Sequence, residues 1–126
     1  MLKKVYLIAI LCVFIDQFVK SVAIESWNVE KNFGAAFGLF QGHLSLLIFF
    51  SFLIISFLIY FSNSVKGIGV YGIALLLGGA TSNLVDRMLY GYIVDYIHLW
   101  FWPSFNLADI FNVLGVILLV IYLKKK

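Results

Sequence analysis

Charge is what this sequence has least of. Only 12% of its 126 residues are Asp, Glu, Lys or Arg, about half the share of an ordinary soluble domain. A soluble fold this small must keep most of its surface wet, and nine basic and six acidic side chains do not cover it. Cysteine occurs once, at Cys12 inside an apolar run, so no intrachain disulfide is possible. The two histidines, His43 and His98, stand apart, and no H-E-x-x-H pattern offers a metal site. Aromatics, by contrast, make up 18% of the chain, which excludes disorder. With 63% hydrophobic residues and a mean hydropathy of +1.05, the protein has lipid as its solvent. At about 20 apolar residues per crossing, its length allows four spans and no separate soluble domain.

The formal charge of +3 does not indicate a nucleic-acid partner. Lys3, Lys4, Lys66, Lys124, Lys125 and Lys126 lie at the chain ends or in one short turn, as topology signals do. Lys3 and Lys4 precede the uncharged run Val5 to Ile15, like the front of a secretory signal peptide. Leu11 stands before Cys12 where a lipoprotein signal needs a small residue, and the apolar pattern continues through Phe18, Val19, Val22 and Ala23. Residues 4–24 are therefore expected to form a retained first span.

Further spans are expected over 43–61, 67–87 and 105–123, the last beginning after Pro103. The fold class is an all-α integral membrane protein, one membrane domain over 1–126. Its outward segments are 25–42, an ordered loop or small sheet, and 88–104. Basic residues concentrate at the termini and in the 62–67 turn, which places both termini in the cytoplasm. Trp27, Trp100 and Trp102 fall in the outward segments, as an interfacial aromatic belt requires.

Several acids then sit at membrane depth. Asp109 lies about 22 Å from Lys124 and Asp16 about 18 Å from Lys4 along a helix, short of the roughly 30 Å hydrocarbon thickness. Intramembrane acids are rare unless paired or functional. Asp16 has Lys20 one turn on, in the favourable acid-first order, and the pair is expected to snorkel outward. Asp86 has Arg87 as its neighbour, with Asn83 one turn below on the same face. Asp95 and Asp109 have no basic residue within a turn. They point either to a shared site, brought together by the break at Pro103, or to an exposed loop acid and a helix-start acid. Asn106 and Asn112 share the face of Asp109. The small residues Gly78-Gly79-Ala80-Thr81-Ser82 permit close helix packing or form the wall of a peptide groove.

These residues together resemble the signal peptidase II family, the bacterial lipoprotein signal peptidases, over nearly the whole chain. The matching blocks run in order: Asp16-Gln17-x-x-Lys20, then Asn32-Phe-Gly-Ala-Ala-Phe-Gly38. Gly78-Gly-Ala-x-x-Asn83-x-x-Asp86-Arg87-x-x-x-Gly91-x-x-x-Asp95 follows, and then Phe105-Asn106-x-Ala108-Asp109 with Gly115. The resemblance implies a small extracytoplasmic β-like cradle between helices 1 and 2 and an outward loop between helices 3 and 4. It makes Asp95 and Asp109 a catalytic dyad. Asn32, Gly34, Asn83, Arg87 and Asn106 become substrate-site residues, and Asp16, Lys20 and Asp86 structural support. Its substrates are prolipoproteins, cut before a diacylglyceryl-modified cysteine at the outer face of the bacterial cytoplasmic membrane. Neither a cofactor nor a metal is implied, and the partners are substrate and membrane lipid. Two features depart from the family: Ser82 replaces a usual Gly, and only eleven residues separate Lys20 from Asn32, which trims the cradle.

Paired carboxylates suffice for peptide hydrolysis, because two held close together share one proton. Intramembrane acids also mark ion paths. A small transporter or proton-conducting protein is therefore the alternative to an aspartic endopeptidase, although no internal repeat supports it. A catalytically silent, lipoprotein-binding relative is a third reading.

Overall fold

The computed structural model describes residues 1–126. Four helices are long and apolar enough to cross a membrane: α1 (Leu2–Ser26), α2 (Leu44–Phe61), α3 (Ile68–Tyr90) and α4 (Leu107–Lys124). Strand β1 (Glu30–Asn32) and a 3₁₀ turn (Ala36–Gly38) lie between α1 and α2. Strands β2 (Ile93–Asp95), β3 (Ile97–Leu99) and β4 (Trp102–Phe105) lie between α3 and α4.

α3 is the central helix. In its apolar window 61% of residues are buried, against 11% in α2 and in α4. Small residues explain how α1 and α4 reach it. A Cβ on Gly78 would come within 2.9 Å of the Ala9 carbonyl oxygen on α1. One on Gly79 would come within 2.5 Å of the Ala108 oxygen on α4. Gly72 of α3 and Gly115 of α4 face each other in the same way, at 3.0 and 2.8 Å from the opposing carbonyls. Missing side chains thus let the backbones meet, as expected in lipid, where packing rather than water exclusion draws helices together. Towards the chain termini the interior is apolar, built from Val5, Ala9, Leu58, Val65, Val70, Ile73, Ala74 and Leu77.

Burial here runs opposite to that of a soluble protein. Phe18 is 70% exposed, whereas Lys20, two residues away, is 1% exposed. Apolar side chains face lipid and the polar ones turn inward.

The helix ends differ from the span limits expected at polar residues. α3 runs past Asp86 and Arg87 to Tyr90, because both side chains find partners inside the bundle. It stops at Gly91, whose φ of 78° gives the left-handed cap that closes many helices. Pro103 does not precede α4 directly but sits in β4, on the edge of a two-stranded sheet where a missing N–H is tolerated. α4 begins at Leu107 behind Asn106. The outward segments also share their sheet: β1 pairs antiparallel with β2, Glu30 opposite Asp95 and Asn32 opposite Ile93. The cradle therefore draws strands from both segments, and β3 pairs with β4 as a second, bulged hairpin.

Candidate active site

Asp109 enters through a helix start. The Asn106 side chain accepts a hydrogen bond from the Asp109 N–H at 2.9 Å, and the Asn106 N–H donates to Asp109 Oδ2 at 3.1 Å. This reciprocal capping box fixes the carboxylate at the first turn of α4. Asp95 arrives at the end of β2, a strand buried at all three of its positions. Asn106 Nδ2 donates to Asp95 Oδ1 at 3.0 Å. One asparagine therefore touches both acids. The fourteen-residue separation that no straight helix could close is closed by the β2–β4 segment.

Both carboxylates line a cleft of about 670 Å³. Asn32, Asn83 and Arg87 share that wall, with Ser51 and Ile54 from α2 and Ala80 from α3. Burial, then the nearby Asp109 carboxylate, push the Asp95 carboxyl up to about 7, while the Asn32 amide and Lys20 pull it the other way. At neutral pH the pair thus retains a proton.

Behind the cleft lies a second set of acids, and it is organised differently. Lys20 Nζ lies 2.7 Å from Asp16 Oδ2 and 2.8 Å from Asp86 Oδ2, and donates to Asn83 Oδ1 at 3.1 Å. An ammonium has three hydrogens, and all three are used. Asn83 passes the contact forward, donating to Asp109 Oδ1 at 3.1 Å and accepting from Asn106 Nδ2 at 3.0 Å. Each rear acid also grips the backbone beside a front acid. Asp86 Oδ2 accepts from the Val94 N–H at 2.9 Å, and Asp16 Oδ1 accepts from the Ala108 N–H at 3.2 Å. Val94 and Ala108 immediately precede Asp95 and Asp109.

Residues 8–125 match the family model for signal peptidase (SPase) II. The chain belongs to the signal peptidase II family. A lipoprotein signal peptidase of Halothermothrix orenii is 36% identical, with 94% of each chain covered. One of Clostridium novyi is 38% identical over 80% of this chain and 74% of its own. A bacterial membrane enzyme solved by the in meso method at 2.3 Å resolution superposes with a TM-score of 0.93 at 28% identity. That match covers 99% of this chain and 90% of the other.

Within this signal peptidase II fold, several sequence readings need correction. The Asp16–Lys20 pair does not snorkel outward: both residues are buried, because Asp86 and Asn83 on α3 supply inward partners. Asp86 pairs with Lys20 and not with Arg87, since adjacent residues on a helix point in different directions. Arg87 instead reaches Ser51 Oγ on α2 at 3.2 Å and the Gly34 carbonyl at 3.3 Å. Of the five residues expected to meet substrate, Asn32, Asn83 and Arg87 line the cleft. Asn106 lies behind the wall, fully buried by its capping role. Gly34 braces its loop: its N–H donates to Asn32 Oδ1 at 3.0 Å, and a Cβ there would sit 2.5 Å from the Leu39 carbonyl. His98 is not isolated either. Its Nδ1 is 2.8 Å from Ser104 Oγ, and its Nε2 is 2.6 Å from the Asn28 carbonyl. That carbonyl can only accept, so Nε2 carries a proton, and the ring clasps the β3–β4 hairpin to the segment that follows α1.

Four further contributors are not among the site residues expected from the sequence. Gln17 Nε2 donates to Asp86 Oδ1 at 2.9 Å, and Ser82 Oγ donates to Asp16 Oδ2 at 2.6 Å. The Tyr96 hydroxyl donates to Asp16 Oδ1 at 2.7 Å while accepting from the Leu107 N–H at 2.9 Å. Burial and the Asp16 bond both raise the pKa of that hydroxyl, so it remains a donor. Ser51 positions Arg87 and donates in turn to the Leu47 carbonyl at 2.8 Å. For Gln17, its place beside Asp16 on α1 was the available signal.

Proposed function

We propose that this signal peptidase II family member removes the signal peptide from prolipoproteins by a two-aspartate mechanism, cutting before the diacylglyceryl-modified cysteine. The observation that carries this reading is the single asparagine, Asn106, holding both Asp95 and Asp109 at one cleft. One carboxylate takes a proton from water, and the resulting hydroxyl bonds to the scissile carbonyl carbon. The other, protonated, carboxyl hydrogen-bonds the carbonyl oxygen as negative charge gathers there. When the C–N bond breaks, a proton passes from the pair to the leaving amine, and the second product is a carboxylate. The two groups act as one titrating unit. Arg87 and Asn32 line the path of the substrate backbone, while Asp16, Lys20 and Asp86 are the frame.

Relatives of this chain bear the peptidase name, which speaks for hydrolysis and against the transporter reading. The deciding experiment incubates purified protein with a diacylated prolipoprotein and looks for the released signal peptide. Release supports the enzyme; tight binding without release would make it the silent relative. The orientation is proposed from the basic residues: both termini in the cytoplasm and the cleft towards the outer face. Cysteines introduced at Ser64 and within 25–30 should then label from opposite sides of the membrane. Labelling of both from outside would overturn that orientation.

A further inference from the structure

Asn112 lines the cleft one turn beyond Asp109 on α4, and it forms no hydrogen bond within the chain. Its Oδ1 is sealed from solvent without a partner, packed onto Gly79 of α3 where any Cβ would collide with it. The other amide of the helical wall, Asn83, is engaged at both ends, its oxygen by Lys20 and Asn106 and its nitrogen by Asp109. An asparagine at membrane depth loses hydration, and a merely structural one would find a partner in the bundle. With one end of the amide sealed, its nitrogen is left to the cleft.

We infer that Asn112 is a substrate-binding residue whose side-chain amide hydrogen-bonds a backbone carbonyl of the bound signal peptide, just upstream of the scissile bond. This rests on the reading of Asp95 and Asp109 as the cleaving pair. With the termini cytoplasmic, the signal peptide runs from the cleavage point towards the same side as α4. Three helical residues place Asn112 about 4.5 Å deeper than Asp109, and an extended peptide rises about 3.3 Å per residue. The partner is therefore the first or second carbonyl upstream of the cut. To enter the cleft, that stretch must be unwound, and its carbonyls, freed from helical hydrogen bonds, then need donors from the protein. Asn112 supplies the donor.

The test is a coupling experiment on diacylated synthetic substrates. In one series the amide linkages upstream of the scissile bond are replaced singly by esters, whose carbonyls are weaker acceptors. A further substrate carries an ether-linked lipid and so lacks the lipid carbonyls. Asn112→Leu should raise KM about three- to tenfold on the all-amide substrate, with kcat and the pH profile unchanged. An ester at the first or second upstream carbonyl should cost the wild type a similar factor and cost Asn112→Leu nothing further. Additive penalties at every position, or an unchanged KM, would overturn the inference. A penalty that disappears only with the ether-linked lipid would overturn it too, assigning the contact to the lipid. Asn112→Ala, which removes the amide without adding bulk, gives the same reading should the leucine fail to fold. Failure of the dyad shows separately, as turnover of the all-amide substrate by folded Asp95→Asn or Asp109→Asn.

Discussion

Four aspartates are gathered at one end of this bundle, and the two behind the cleft differ from the two within it by a single ammonium. Asp16 and Asp86 share Lys20 and are nearly solvent-free. Asp95 and Asp109 face each other's charge with amides, not a cation, in direct contact. The same chemical group thus serves two ends. A carboxylate with a cation fixes geometry, here by holding the Val94 and Ala108 N–H groups. A carboxylate without one retains a proton near neutral pH, which is what acid–base chemistry needs.

The largest effect should come from removing either front acid. Asp95→Asn and Asp109→Asn are nearly isosteric, and each should abolish cleavage in a folded protein. The double variant should lose little more than either single, because residues acting as a unit are non-additive. Substantial turnover in either single variant would break the distinction between the two pairs. The Asp95 carboxyl, held near 7, sharpens it further. Its folded pKa exceeds its unfolded value, so the native state binds the extra proton. Stability should therefore fall as pH rises from about 4 to about 7, and activity should fall above about 7 as the shared proton is lost. In Asp95→Asn, that fall in stability should be shallower, as thermal unfolding at several pH values would show.

Removing the cation from the rear pair should cost stability first. Lys20→Met leaves two buried carboxylates facing each other, which costs about 3–5 kcal/mol when one partner of a buried pair is lost. Adding Asp16→Asn and Asp86→Asn should restore part of that loss, because it removes the uncompensated charge. Thermal unfolding of the two variants in detergent checks both signs. If Lys20→Met unfolds no earlier than the wild type, the rear acids do not depend on the ammonium.

Legibility in the sequence followed the range of the interaction. Hydropathy showed the four spans, because each is a continuous local signal. Depth along a helix marked Asp16 and Asp109 as unusual, because helical rise is nearly constant. Partner choice was another matter. Asp86 stands next to Arg87 in sequence but meets Lys20 across a helix interface, and no local pattern reports which face of α3 meets α1. β1 and β2 pair across more than sixty residues through three-residue strands too short to show alternation. Asn106 could be seen on the same face as Asp109. Its contact with Asp95 depends on how the intervening strands return, which only the folded chain fixes.

The smallest effect expected is at Ser82, where the family pattern usually has glycine. Its hydroxyl donates to Asp16 Oδ2 at 2.6 Å and accepts from Gln17 Nε2 at 3.0 Å, adding a bond to the rear cluster without touching either front acid. Asp16 Oδ2 would still have Lys20 after the hydroxyl is gone, and Gln17 would still have Asp86 and the Ser82 carbonyl. No buried charge is stranded, so Ser82→Ala should cost about 1 kcal/mol. Ser82→Gly should cost roughly 1 kcal/mol more through helix propensity alone. Both should leave kcat/KM within about twofold of wild type, since a uniformly weakened frame still holds Val94 and Ala108 in place. A normally stable Ser82→Ala protein that had lost its turnover would join the rear acids to the chemistry and erase the boundary between the two pairs.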